Sequence, residues 1–241
     1  MSAVLALSNL SRTYGGLRAL SDVSATFDDR EITAIIGPNG AGKTTLFSLV
    51  AGAVTPTSGR IEFCGRDITG WPPAAVCRAG IGRTFQIVRP FWSLTVRDHL
   101  RAAAIFGGHR DLDAAAIDEL LELTGLAGRA AAPARTLTLA GCKRLEIARA
   151  LASGARLVLL DETMAGLTPE ETREAISLVR HVFESGRSVI LIEHVLPAVT
   201  DLCHRALVLD YGEIIADGTP AEVVRNPKVI EAYLGSEHAA A

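Results

Sequence analysis

The sequence predicts an α/β protein: a parallel sheet with helices between its strands, a smaller antiparallel β subdomain and an inserted helical subdomain. Short runs rich in Val, Ile and Leu recur as ITAIIG at 32–37, RLVLLDE at 156–162, SVILIE at 188–193 and RALVLD at 205–210. Their length and composition suit strands buried on both faces. Helical patterns alternate with them, in GKTTLFSLVAG (42–52), KRLEIARALA (143–152) and PEETREAISLVRHVFESG (169–186), and this alternation is the mark of the α/β class. From about 95 to 136 the texture changes to Ala-rich helical periodicity, in TVRDHLRAAAIF and DAAAIDELLELTGL.

Taken in order, LALSNLSRTYG (5–15), VSATFD (23–28) and RIEFCG (60–65) alternate apolar and polar residues and suit the antiparallel sheet. The expected organisation is one domain over 1–241. Its α/β core with the β subdomain occupies 1–94 and 153–241, and the helical subdomain occupies 95–152. The last residues, SEHAAA at 236–241, read as a loose tail.

A net charge of −3 without long runs of one sign gives no footprint for nucleic acid. The four cysteines, at 64, 77, 142 and 203, share no metal-ligand spacing and fit a reducing cytosol. The first residues, MSAVLALSNLSRTYGG, lack the charged start and apolar centre of a signal peptide, and no apolar run is long enough to span a bilayer. Any membrane role is therefore expected to go through a partner.

GPNGAGKTT, at 37–45, follows an apolar strand and opens a helix, the context that G-x-x-x-x-G-K-[ST] requires. In this phosphate-binding loop Gly37, Gly40 and Gly42 let the backbone wrap around oxygen atoms. Amides at the helix start and Lys43 oppose phosphate charge. The nucleotide-binding set is Gly37, Pro38, Asn39, Gly40, Ala41, Gly42, Lys43, Thr44 and Thr45, with the Thr44 hydroxyl on Mg²⁺. A Gly-rich turn followed by a surface lysine is the plain alternative, and the complete spacing argues against it. The core is therefore expected to be that of a P-loop NTPase.

RLVLLDE ends a strand in Asp161 and Glu162. Parallel strands deliver side chains to the crevice at their carboxyl ends. Asp161 is expected to hold Mg²⁺ through a water, and Glu162 to polarise the water that attacks the γ-phosphate. Two acids capping a strand at the surface are the alternative, weakened by the loop at 37–45.

With these residues in order, the chain resembles the ATP-binding cassette ATPases of ABC transporters along essentially its whole length. The resemblance implies further roles. Tyr14 is similar to the aromatic that stacks on adenine, Gln86 in GRTFQ to the glutamine that touches metal and water, and His194 in LIEHV to the histidine that holds the γ-phosphate. The family's LSGGQ signature closes over ATP held by the other subunit of a head-to-tail dimer. Aligned through Gly141, it falls on Thr138, Leu139, Ala140, Gly141 and Cys142, so serine, the first glycine and glutamine are absent. Gly141 is expected hard against the start of the following helix, in a retained but weakened clamp. Thr163 and Thr168 depart from the family's proline and Asp or Asn.

RTYGGLRALSDVS, GRTFQIVRPFWSLTVRDHL and NPKVIEAYLG look like the ATPase subunits of branched-chain amino acid importers and their relatives. That likeness implies ATP and Mg²⁺ as cofactors, and a second ATPase subunit as partner, a different chain being favoured over a copy. It also implies integral membrane permease subunits, an indirect periplasmic binding protein, and a cytoplasmic place on the inner face of the cell membrane. A lipid or lipopolysaccharide exporter ATPase and a soluble non-transport ABC protein are the alternatives. In IVRPFWSLTVRDHL (87–100), Phe91 and Trp92 read either as anchors for a membrane subunit or as core of the helical subdomain.

Overall fold

The computed structural model describes residues 3–86, 88, 90–108 and 112–238. In chain order the elements are β1 (Ala3–Tyr14), β2 (Leu17–Asp28), β3 (Ile32–Ile36), α1 (Lys43–Val50), β4 (Ser58–Phe63), β5 (Arg66–Asp67), α2 (Pro73–Ala79), β6 (Ile81–Arg83), α3 (Val96–Gly107) and α4 (Ala114–Leu123). There follow α5 (Leu139–Ala152), β7 (Leu157–Asp161), α6 (Pro169–Glu184), β8 (Ser188–Ile192), α7 (Leu196–Leu202), β9 (Arg205–Asp210), β10 (Glu213–Gly218), α8 (Pro220–Val223) and α9 (Pro227–His238). No helix among the described residues is long and apolar enough to cross a membrane.

Two compact units are present, one of Met1–Pro73 and Ile190–Ala241, the other of Ala74–Val189. In the first, β1 pairs antiparallel with β2 and β4, in registers that include Tyr14↔Leu17 and Leu7↔Ile61. The alternation of LALSNLSRTYG slips at a bulge between Leu7 and Leu10, where Asn9 takes a left-handed φ of 49°. The same unit holds β3 parallel to β9, from Thr33↔Arg205 to Ile36↔Val208, and β9 antiparallel to β10. Tyr211 and Gly212 form the two-residue turn between β9 and β10, both at positive φ, which matches the right-handed twist of the flanking strands.

In the second unit β6 runs parallel to β7, Ile81↔Leu157 to Arg83↔Leu159. All five residues are buried in each of β3, β7 and β8, the two-sided burial that their unbroken apolar runs predict. Val96 and Leu100 of α3, Ile117 and Leu121 of α4, and Leu145, Ala148 and Ala152 of α5 form one apolar cluster with Leu126 and Ala134. The three-and-four spacing puts each set on one helix face, and each buried Leu or Ile contributes about 2 kcal/mol.

Two expectations need correction. The helix placed at 143–152 begins four residues earlier, because Thr138 caps it: its hydroxyl accepts the amide of Gly141 at 3.2 Å. Such a cap contributes about 1 kcal/mol. Gly141 is therefore the third residue inside α5, not a residue in front of it, and Ala140 lies in the helix, where no positive φ is needed. The tail expected from 236 is helical as far as His238, and 239–241 lie outside the described residues.

Candidate active site

The first unit carries the phosphate loop. Gly37 (φ 147°), Gly40 (φ 83°) and Gly42 (φ 104°) are all left-handed. Two of them are also sterically compelled: a Cβ on Gly37 would lie 2.0 Å from the Leu209 carbonyl oxygen, and one on Gly42 would lie 2.6 Å from that of Ala19. The loop is thus packed on the strands beneath it. The β9–β10 turn adds to this floor, since the Gly212 amide donates to the Ala41 carbonyl at 3.0 Å and the Ser21 amide to that of Gly212 at 2.9 Å. Gly212 escaped the sequence reading; Tyr-Gly was legible as a turn, but its bond to the loop was not.

α1 opens on Gly42 with no side-chain cap, whereas α3, α4, α5, α6 and α8 are each capped by a Thr or Asp side chain. The first amides of any helix lack intrahelical acceptors, and the helix dipole makes them attractive to anions. Lys43, only 6% exposed, donates its ammonium to the carbonyls of Gly37 at 2.7 Å and Pro38 at 2.9 Å. Asn39, Gly40 and Thr44 are exposed on the rim, with Pro38 and Thr45 half-buried and Ala41 buried. A glycine cradle, an uncapped helix start and an ammonium fit a polyphosphate. Tyr14, at the end of β1, is 41% exposed, with the Arg12 guanidinium 4.4 Å from its ring centre. His194 lies two residues beyond β8 and is exposed.

Gln86, Asp161 and Glu162 belong to the second unit. Asp161 ends β7 at 2% exposure; its carboxylate meets the Arg83 guanidinium at 2.9 Å and its amide donates to the Thr84 hydroxyl at 3.0 Å. Neither Arg83 nor Thr84 was singled out in the sequence, although both lie in the quoted GRTFQ. Breaking a buried ion pair strands the remaining charge, so Arg83→Leu is expected to cost about 3 kcal/mol in urea unfolding. Arg18→Ala, at the exposed pair with Asp22, is expected to leave the midpoint nearly unchanged.

Glu162 stands one residue beyond β7 with a left-handed φ of 49°, a conformation a non-glycine residue adopts at a cost. The structure brings Gln86 onto it: the Gln86 side-chain amide donates to Glu162 Oε2 at 2.6 Å. Gly141 is two residues from Lys143, whose side chain reaches the Glu162 backbone. Leu139 is 48% exposed, whereas Cys142 is buried and burial pushes its thiol pKa up, so it stays protonated. Thr168 caps α6 in a reciprocal pair with Glu171. Asp, Asn and Thr all serve as helix caps, so this departure from the family pattern keeps the cap of α6.

A profile of the ABC transporter family matches residues 20–165, more than half of the chain. The chain belongs to the ABC transporter family. A second profile, of the branched-chain amino acid ATP-binding cassette transporters, matches residues 213–239 of this cassette. The cassette is 38% identical over 249 residues to the high-affinity branched-chain amino acid transport ATP-binding protein LivG of Salmonella typhimurium, covering 96% of this chain and 98% of LivG. With the corresponding protein BraF of Pseudomonas aeruginosa it shares 36% over 256 residues, covering 96% and 98%. The crystal structure of the ADP conformation of MJ1267, an ATP-binding cassette of an ABC transporter, resembles the cassette with a TM-score of 0.88 at 30% identity, covering 98% of this chain and 100% of that one.

Proposed function

We propose that this cassette is the ATP-hydrolysing subunit of an importer for branched-chain amino acids or a related small polar solute. The single observation that carries the nucleotide reading is the glycine loop that opens α1 without a side-chain cap and with Lys43 at its centre. The family membership and the LivG and BraF relatives support the transport reading.

In this reading Lys43 and the loop amides hold the phosphates, Tyr14 stacks on adenine and His194 contacts the γ-phosphate. Glu162 takes a proton from the attacking water as its oxygen bonds to the γ-phosphorus and the bond to the β–γ bridging oxygen breaks, leaving ADP and phosphate. Gln86, holding one Glu162 carboxylate oxygen, keeps that base oriented. Thr44, Gln86 and Asp161 offer the oxygen donors that Mg²⁺ prefers, and the ion when bound offsets phosphate charge.

The helix that begins at Leu139 would serve the nucleotide of a second ATPase subunit, a different chain being favoured. Its N-cap hydroxyl, on Thr138, accepts the Gly141 amide and would donate its own hydrogen to that nucleotide. Membrane permease subunits dock on the cytoplasmic side, with a periplasmic binding protein delivering solute.

The docking surface is proposed at Phe91 and Trp92. They are 62% and 53% exposed, which sets aside their reading as core, and Phe106 is 77% exposed in the same unit. Of the segment 87–100 proposed for this role, residues 87 and 89 lie outside the described residues. His99 is buried and neutral-prone, burial lowering its pKa; its Nδ1 donates to the Thr95 carbonyl at 2.8 Å and its Nε2 accepts the Phe91 amide at 3.0 Å. That bond holds Phe91 by its backbone while its ring faces outward.

Co-expression with the candidate permease subunits tests the assignment. ATP hydrolysis in vesicles should rise when a branched-chain amino acid and its binding protein are added. Phe91→Ala with Trp92→Ala should abolish co-purification of the permease while leaving ATP affinity within about twofold. Retained co-purification would remove these two side chains from the docking role.

A further inference from the structure

We propose that Lys143 is a positioning residue for hydrolysis: its ammonium holds the main chain on both sides of the catalytic turn and so fixes the backbone that carries Glu162. This rests on the reading of Glu162 as the base.

Lys143 is a lysine only 7% exposed, on the first turns of α5. Its Nζ donates to the carbonyl oxygen of Glu162 at 3.0 Å and to that of Ala165 at 2.5 Å. Two converging carbonyls make a small site of negative potential, and an ammonium with three rotatable donors on a flexible stem can fill it. Glu162 takes its left-handed φ in the same turn. Within the turn, the Ala165 amide donates to the Glu162 carbonyl at 3.3 Å and the Leu167 amide to that of Met164 at 3.4 Å, both long. The lysine's contacts are shorter than these, and they are charge-assisted.

The same helix touches the segment a second time. A Cβ on Gly166 would lie 3.4 Å from Leu139 Cδ2, so the exposed first residue of α5 lies against the strand of backbone that leaves the catalytic turn. Glu162 is thus held at two places with separate origins. Gln86 grips its carboxylate from the loop three residues past β6, and Lys143 grips its carbonyl from α5. Because α5, capped by Thr138, also carries Lys143, the helix proposed to attend the partner's nucleotide is bonded directly to the residue proposed to act on this chain's own.

The test compares Lys143→Met, Lys143→Arg and Glu162→Gln, singly and as the pair Lys143→Met with Glu162→Gln, in the full chain co-purified with its transporter partners. Mg-ATP is the probe. A misaligned reacting group costs up to about 100-fold, so Lys143→Met is expected to lower kcat about 10- to 100-fold with the KM for ATP within about twofold. Lys143→Arg, which keeps charge and donors, should recover most of kcat. In the Glu162→Gln background the Met substitution should add less than about twofold, since a residue acting through Glu162 has nothing left to position.

A Lys143→Met kcat within about twofold of wild type overturns the proposal, as does an equal further loss in the Glu162→Gln background. If Lys143→Met does not fold, Lys143→Gln decides by the same split: lower kcat at unchanged KM supports positioning, and unchanged kcat overturns it. Near-normal turnover by Glu162→Gln alone overturns the reading of the base and this inference with it. An inactive Glu162→Gln beside a normal Lys143→Met overturns the inference alone.

Discussion

Glu162→Gln is expected to reduce the rate of ATP hydrolysis about 1,000-fold while leaving ATP affinity within about twofold. The magnitude is in the range that a positioned general base contributes. The substitution preserves the side chain's size, and the new amide oxygen can still accept from Gln86, so the local geometry at 2.6 Å has no steric reason to change. What is lost is the negative charge that draws a proton from water. Single-turnover hydrolysis separates this from slow product release, and size-exclusion chromatography with ATP should show a persistent nucleotide-bound dimer. Turnover within tenfold of wild type would falsify the assignment of Glu162 as base.

Lys43→Met should instead abolish both binding and hydrolysis, with ATP affinity falling at least about 100-fold. Hydrogen bonds from a charged donor contribute about 1.5–3 kcal/mol each, and the loss of two corresponds to at least that factor. A stability effect accompanies it: the ammonium is bonded to the carbonyls of Gly37 and Pro38, and methionine leaves these acceptors without their donor. The melting temperature should therefore drop by a few degrees without nucleotide, and ATP should fail to raise it. Equilibrium titration with a fluorescent ATP analogue measures the first effect and differential scanning calorimetry the second. Affinity within threefold of wild type would remove Lys43 from phosphate recognition.

The buried strands and the phosphate loop were legible in the sequence for different reasons. Burial on both faces leaves an unbroken apolar run, which β3, β7 and β8 show. The loop is legible because polyphosphate binding demands glycines, a lysine and a hydroxyl at fixed spacing ahead of a helix. The rest of the candidate site depends on contacts between residues far apart in the chain. Arg83 meets Asp161 across 78 residues and Gln86 meets Glu162 across 76, and no local pattern announces either pairing. The family likeness suggested Gln86 but gave no role to Arg83, Thr84 or Lys143.

The start of α5 was legible and misread. A threonine followed by helix formers is an N-cap signal, and aligning on Gly141 drew attention away from Thr138. The end of α9 reaches into SEHAAA as far as His238, where Glu237 is a good helix former.

The segment 163–167 is fastened at both ends. Upstream, the carbonyl of Glu162 is held by Lys143. Downstream, the Thr168 amide donates to the Glu171 carboxylate at 2.9 Å and the Thr168 hydroxyl accepts the Glu171 amide. Thr163 and Met164 are buried between these points. A segment clamped in this way is a stiff link with little slack, so a shift of α6 reaches Glu162 as displacement instead of being absorbed along the way. Gly166, the one glycine between them, takes a left-handed φ of 75°.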